Sequence, residues 1–351
     1  GTSAIELGFA NLTINNSGLY DLADRIPDAA PIKLSGGSIY FYARAAAYSA
    51  ETVGVVTLSS GTSTISASNS SNAAIFEGST LTLSGLSRTA ANGATISFAQ
   101  NYTGTSSGNL GQLVDGGTTG RKMNIFVTGG QSLTNNLIGP WAVVGGYFGY
   151  SAVEYASYSS ALGVGALSGV GFAGYDGTAL PATNNASGNY RLTASATIPA
   201  GGLVLNTLNA SNTAGSTNLD LTFSSASDLL NLAGGGLSIQ NLVNGTSGVS
   251  SIGSVAIPGK LTAGGASPSG PVDFYLYHYN TTSTNALTIN SQIVDNGSSA
   301  VRLILWGAKS GTATGDATVV LANSANSYTG GTVINGETLQ IAATGNLPAG
   351  G

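Results

Sequence analysis

A short apolar pair recurs along the chain, in which two hydrophobic residues flank one position and a small or polar residue follows. It reads Leu12-Thr13-Ile14-Asn15, Ile32-Lys33-Leu34-Ser35, Val56-Thr57-Leu58-Ser59 and Leu81-Thr82-Leu83-Ser84. It returns with the pairs Leu203/Leu205, Leu221/Phe223, Leu237/Ile239, Val255/Ile257 and Val272/Phe274. Leu287/Ile289, Leu303/Leu305, Val319/Leu321 and Leu339/Ile341 complete the set. A spacing of two puts both apolar side chains on the same side of a strand. The Gly, Asn and Ser clusters in between read as turns. Helical spacing is confined to a single turn at most, from Leu22 to Ile26.

The units begin 15 to 25 residues apart within each run. A β-sandwich sets its turns every ~8–12 residues, and a propeller repeats every ~40–50. The spacing therefore predicts an all-β fold, a right-handed parallel β-helix in which each coil buries its apolar face against its neighbours. One strand per coil gives about 14–17 coils, each rising ~4.8 Å. Residues 1–351 read as a single domain. The stretch 125–202 breaks the pattern and reads as irregular coils with long insertions. It holds Trp141, Tyr147, Phe148, Tyr150, Tyr155 and Tyr158.

Composition sharpens this picture. Of 351 residues 52 are Gly and only 7% are charged, but 42% are hydrophobic. That apolar share is more than a disordered chain carries, so the glycines serve turns. With no Cys and one His, Cys/His metal sites and disulfides are excluded. Ten basic residues under a net charge of −5 make no footprint for nucleic acid. The run from Tyr155 to Tyr175 is uncharged, but its five glycines favour a packed segment over a membrane span. No leader-type pattern opens the chain at Gly1.

Near the end stands Asn326-Ser327-Tyr328-Thr329-Gly330-Gly331-Thr332-Val333-Ile334-Asn335-Gly336-Glu337-Thr338-Leu339-Gln340-Ile341. This segment, 326–341, resembles the autotransporter-associated β-strand repeat, departing from it at Glu337, where that repeat usually has Gly. Looser similarity to secreted proteins carrying the repeat runs through Leu22–Gly37, Glu51–Ile65 and Ile138–Trp141. The resemblance implies a parallel β-helix exposed outside the cell or on its surface. Within the motif, Gly330-Gly331 and Asn335-Gly336 fit positive-φ turns, and Leu339 and Ile341 are expected in the core.

Candidate chemistry is thin. Asp273, Asp295, Asp316 and Glu337 follow one another at about one coil each, so stacking would offer oxygen ligands to a structural Ca²⁺ or an acid/base pair. Exposed turns account for the same residues more simply. Asp21, Asp24 and Asp28 around Arg25 read as an ion pair or turn cap. Gly104-Thr105-Ser106-Ser107-Gly108 matches a hydrolase elbow, but no helix follows it. His278 alternates with Phe274 and Leu276 and reads as a partly buried, satisfied side chain. Tyr275, Tyr277 and Tyr279 are then expected to point outward, as are Tyr40 and Tyr42. With Tyr147 and Tyr150, they could stack on sugar rings or anchor an interface. The sequence thus leads us to expect a non-enzymatic extracellular structural protein, without catalytic residues or cofactor. It would form a fibre or surface layer with copies of itself. A monomeric carbohydrate-binding adhesin is the alternative, and a polysaccharide lyase or hydrolase comes third.

Overall fold

In a computed structural model, the described residues are 4–44, 47–68, 78–89, 92–99, 122–145, 153–212, 219–241, 250–280, 286–309, 317–343 and 345–348. They are all-β, with no helix among them. The chain divides into two compact units, Gly1–Gly174 and Tyr175–Gly351. Each unit has its own apolar cluster.

In the first unit β1 (Ile5–Gly8), β3 (Ile32–Ser35), β5 (Tyr48–Ser60), β7 (Gly78–Arg88) and β9 (Lys122–Val127) form one parallel sheet. The strands between them build a second sheet. It runs β2 (Asn11–Asn15), β4 (Ser38–Tyr42), β6 (Thr62–Ser68), β8 (Thr95–Ala99) and β10 (Ala142–Val144), then β11 (Glu154–Ser159) and β12 (Gly163–Ala166). The last two strands reverse, so β10, β11 and β12 pair antiparallel. All other pairs of named strands are parallel. The insertions expected across 125–202 are thus, in part, an antiparallel meander. Asn135 and Asn136 turn the chain ahead of it at φ 49 and 65°, a conformation that Asn tolerates.

In the second unit all pairs of named strands are parallel. Its larger sheet runs β13 (Asn185–Leu192), β15 (Leu203–Asn212), β17 (Leu229–Asn241), β20 (Val272–Asn280), β23 (Val301–Lys309) and β25 (Thr332–Asn335). Beside the first half of β17 lies β19 (Lys260–Ala263), which in turn pairs with β22 (Gln292–Ile293). Its other sheet runs β14 (Ala196–Ile198), β16 (Leu221–Phe223), β18 (Ser250–Ile252), β21 (Leu287–Ile289), β24 (Thr318–Leu321) and β26 (Thr338–Ile341).

Twelve of the thirteen apolar pairs lie in these strands. Ile32/Leu34, Val56/Leu58 and Leu81/Leu83 share one sheet, whereas from Val272/Phe274 to Val319/Leu321 successive pairs alternate between the two sheets of the second unit. Each level of the stack therefore uses more than one strand. Paired residues of neighbouring parallel strands stand from 18 residues apart at Asn189/Thr207 to 46 at Ile96/Ala142. Most offsets exceed the 15–25 spacing of the apolar pairs, so the count of one strand per coil does not hold. Spacing reports where strands fall and not which sheet each one joins. The exception is Val255/Ile257, a tight turn in which Ser254 and Ile257 bond each other, leaving Val255 exposed. Like residues align in columns. Leu208, Leu237, Leu276 and Leu305 form one continuous row at the centre of the core. Each is fully buried and contributes ~2 kcal/mol of apolar burial.

Candidate functional site

The tyrosines singled out as outward-facing are corrected by the structure. Tyr275, Tyr277 and Tyr279 do lie opposite the core face, but all three are at most 3% exposed. Their strand, β20, is central, paired on both sides with β17 and β23. A central parallel strand is commonly covered on both faces. Tyr275 OH donates to Asp273 Oδ2 at 2.7 Å, and Tyr277 meets Trp306 edge to face at 5.5 Å. Tyr40 is also buried and stacks on half-buried Tyr42 at 6.5 Å. Tyr147, Tyr150 and the Gly104–Gly108 motif lie outside the described residues.

Asp273, Asp295 and Glu337 do not gather into a cation site either, and Asp316 lies outside the described residues. Among the described residues, no three His, Asp or Glu side chains stand close enough to share a metal. Each one is engaged elsewhere. Asp273 Oδ1 takes Nε and Nη2 of Arg302 at 2.9 and 2.5 Å. Asp295 Oδ1 accepts from Val301 N at 2.7 Å and Thr329 N at 2.9 Å, while its Oδ2 takes the Thr329 hydroxyl at 2.7 Å.

Asp295 exemplifies a device used throughout the chain. Asp220 Oδ1 accepts from Ser251 N at 2.8 Å, 31 residues on. Asp228 Oδ1 accepts from Gly201 N, 27 residues back. Glu51, only 1% exposed, receives Arg25 N and Ile26 N at 3.0 Å. Burial pushes the Glu51 carboxyl up from its usual range, and the backbone donors of Ile26 and Arg25 pull against it. The acidic knot beside it is thereby resolved. Asp21 accepts from Asn16 and Ser49, and Arg25 Nε donates to Asn16 Oδ1. The scarce carboxylates thus act largely as pins, satisfying backbone N–H groups or side chains of neighbouring levels. Their chemistry gave no sequence signal beyond their rarity.

The repeat-like segment has the same logic. Asn326 Oδ1 accepts from Ile293 N at 2.9 Å, 33 residues back, and buried Tyr328 pairs its hydroxyl with Thr332 at 2.8 Å. Gly331 and Gly336 turn at φ 90 and 76°, but Gly330 does not. Leu339 packs half-buried against the core, while Ile341 is 38% exposed on the edge strand β26.

One pair is of another kind. His278, the chain's sole His, faces the core between Ile239 and Gly307 in register. Its Nδ1 lies 3.2 Å from Glu337 Oε1, across 59 residues of sequence. The two side chains are 2% and 0% exposed. Burial lowers the imidazole to about 4 and raises the Glu337 carboxyl well above its usual range. Burial thus disfavours the charged form of each group, and Nδ1 and Oε1 lie within hydrogen-bond distance. With no exposed face, the pair cannot act on a substrate in this conformation. Comparison with protein-family models, with curated proteins and with solved structures finds no match.

Proposed function

We propose that the chain is a right-handed parallel β-helical structural protein, extracellular or cell-surface, that associates with copies of itself through open sheet edges. One observation carries the reading. Among the described residues, β1 and β2 at one side of the first unit, and β25 and β26 at one side of the second, have no strand beyond them. Such edges present unpaired N–H and C=O groups that accept another parallel strand. Apolar side chains stand exposed on or near them, namely Phe9, Leu19 and Tyr20 in one unit and Ile334, Ile341 and Leu347 in the other. A net charge of −5 over 351 residues offers little repulsion between copies. Asp273, Asp295 and Glu337 are each engaged within the fold, which weighs against the hydrolase. The burial of Tyr275, Tyr277 and Tyr279 weighs against the adhesin.

The test is assembly. Light scattering and electron microscopy should show concentration-dependent oligomers of the native chain, and Ile334→Lys with Ile341→Lys should abolish them. A native chain that stays monomeric at every concentration would defeat the reading.

A further inference from the structure

Glu337 departs from the repeat that its segment resembles, and it meets the only His in the chain. A third residue makes room for that meeting. Gly307 stands beside His278 in register, and a Cβ there would lie 2.8 Å from Glu337 Cδ and 3.0 Å from Ala317 Cβ. The carboxyl group occupies the space that any side chain at position 307 would fill. Glu337 follows the turn at Gly336, between β25 and β26. From there it reaches β20, a strand separated from β25 by β23.

The geometry admits one proton. An ionised carboxylate in this setting would need several donors, as Glu51 has. Among the described residues, Glu337 is paired with His278, and its Oε2 is buried without a hydrogen-bond partner. On the same face, His278 is flanked by Leu276 on its own strand, Ile239 on β17 and Gly307 on β23. Asp273 and Arg302 belong to the other face and are paired with each other. Tyr275, Tyr277 and Tyr279 lie on that other face too, and Lys309 follows Gly307 by two positions on β23.

We propose that His278 and Glu337 form a one-proton latch that fastens the β25–β26 coil to β20 and loosens as the medium turns alkaline. The sign follows from proton counting. Released from the core, Glu337 and His278 titrate near their ordinary values of 4.5 and 6.5. Between those values the released pair holds one proton, as the latched pair does, and latching is independent of pH. Above 6.5 the released pair holds none. The latched state then binds one proton more, and opening is favoured up to about tenfold per pH unit until Glu337 ionises in place. On the acid side, the latch weakens as pH falls from 4.5 towards about 4, where His278 takes a second proton.

The test follows amide exchange of Thr338–Ile341 from pH 6 to 9, as protection factors with intrinsic base catalysis divided out. The native chain should lose protection by up to about tenfold per unit above pH 6.5, while Glu337→Gln, which cannot ionise, should stay flat. Equal slopes in both would overturn the latch. An independent reading needs no variant. In untagged protein, the single imidazole resonance should titrate with a midpoint near 4, and a midpoint at 6.5 or above would also overturn it. Gly307→Ala should displace the carboxyl and return that midpoint towards 6.5.

Discussion

The two units each bury a glutamate, Glu51 in the first and Glu337 in the second, and hold it by opposite means. Glu51 is met by two backbone N–H groups from the loop that precedes β3. Glu337 is met by one imidazole, with its other oxygen unpartnered. Burial raises both carboxyls; backbone donors oppose the rise at Glu51, and nothing comparable opposes it at Glu337. The sheets differ in parallel fashion. The first unit ends one of its sheets with the antiparallel β10–β12, whereas the second remains parallel to its edge strands.

The sharpest way to break this comparison is Glu51→Ala. It strands the N–H of Arg25 and the buried N–H of Ile26 and should cost about 2–3 kcal/mol in urea unfolding. A loss below 1 kcal/mol would show that water replaces the carboxylate and that the pin is dispensable. Next comes Gly307→Val, whose branched side chain needs the volume now held by the Glu337 carboxyl. We expect a loss of about 2 kcal/mol, with exchange increased in β26 before other strands. Asp228→Ala removes acceptors for Gly201 N and Ser225 N and should cost about 1–2 kcal/mol. Measured by the same unfolding curves, it asks whether second-unit pins match Glu51 in strength. Smallest is the exposed hydroxyl ladder that both units share. Thr197 meets Thr222 at 2.8 Å and Thr57 meets Ser87 at 3.0 Å. Replacing Thr197 or Thr57 by Val should shift stability by about 0.5 kcal/mol or less, equally in the two units.

Much of the strand content was legible in the apolar pairs, because period-two spacing is a local property of the backbone. Val272/Phe274 and Leu303/Leu305 fall in β20 and β23 as their spacing requires. What covers a strand's second face is not local. Tyr277 has the parity of an outward residue, but it is buried against Trp306, 29 positions later on the neighbouring strand. The partner of His278 was equally hidden. Its inward direction follows from alternation with Phe274 and Leu276, whereas Glu337 arrives across 59 residues and over a missing side chain. Levels of variable length, 25 residues at Thr197 and 37 at Asn290, prevent a fixed period from pairing them in advance.

The aligned leucine columns carry a hazard for a chain still finding its fold. Leu208, Leu237, Leu276 and Leu305 are chemically alike, so a strand threaded one level too early meets nearly the same apolar surroundings. Hydrophobic burial alone scarcely separates correct from skipped pairing. The carboxylates break that degeneracy. Asp220 finds its donors at Ser251, Asp228 at Gly201 and Asp295 at Thr329, and a mispaired level leaves such an acid without its matching N–H. They work as an address system, marking which rung belongs beside which in a ladder whose rungs otherwise look the same.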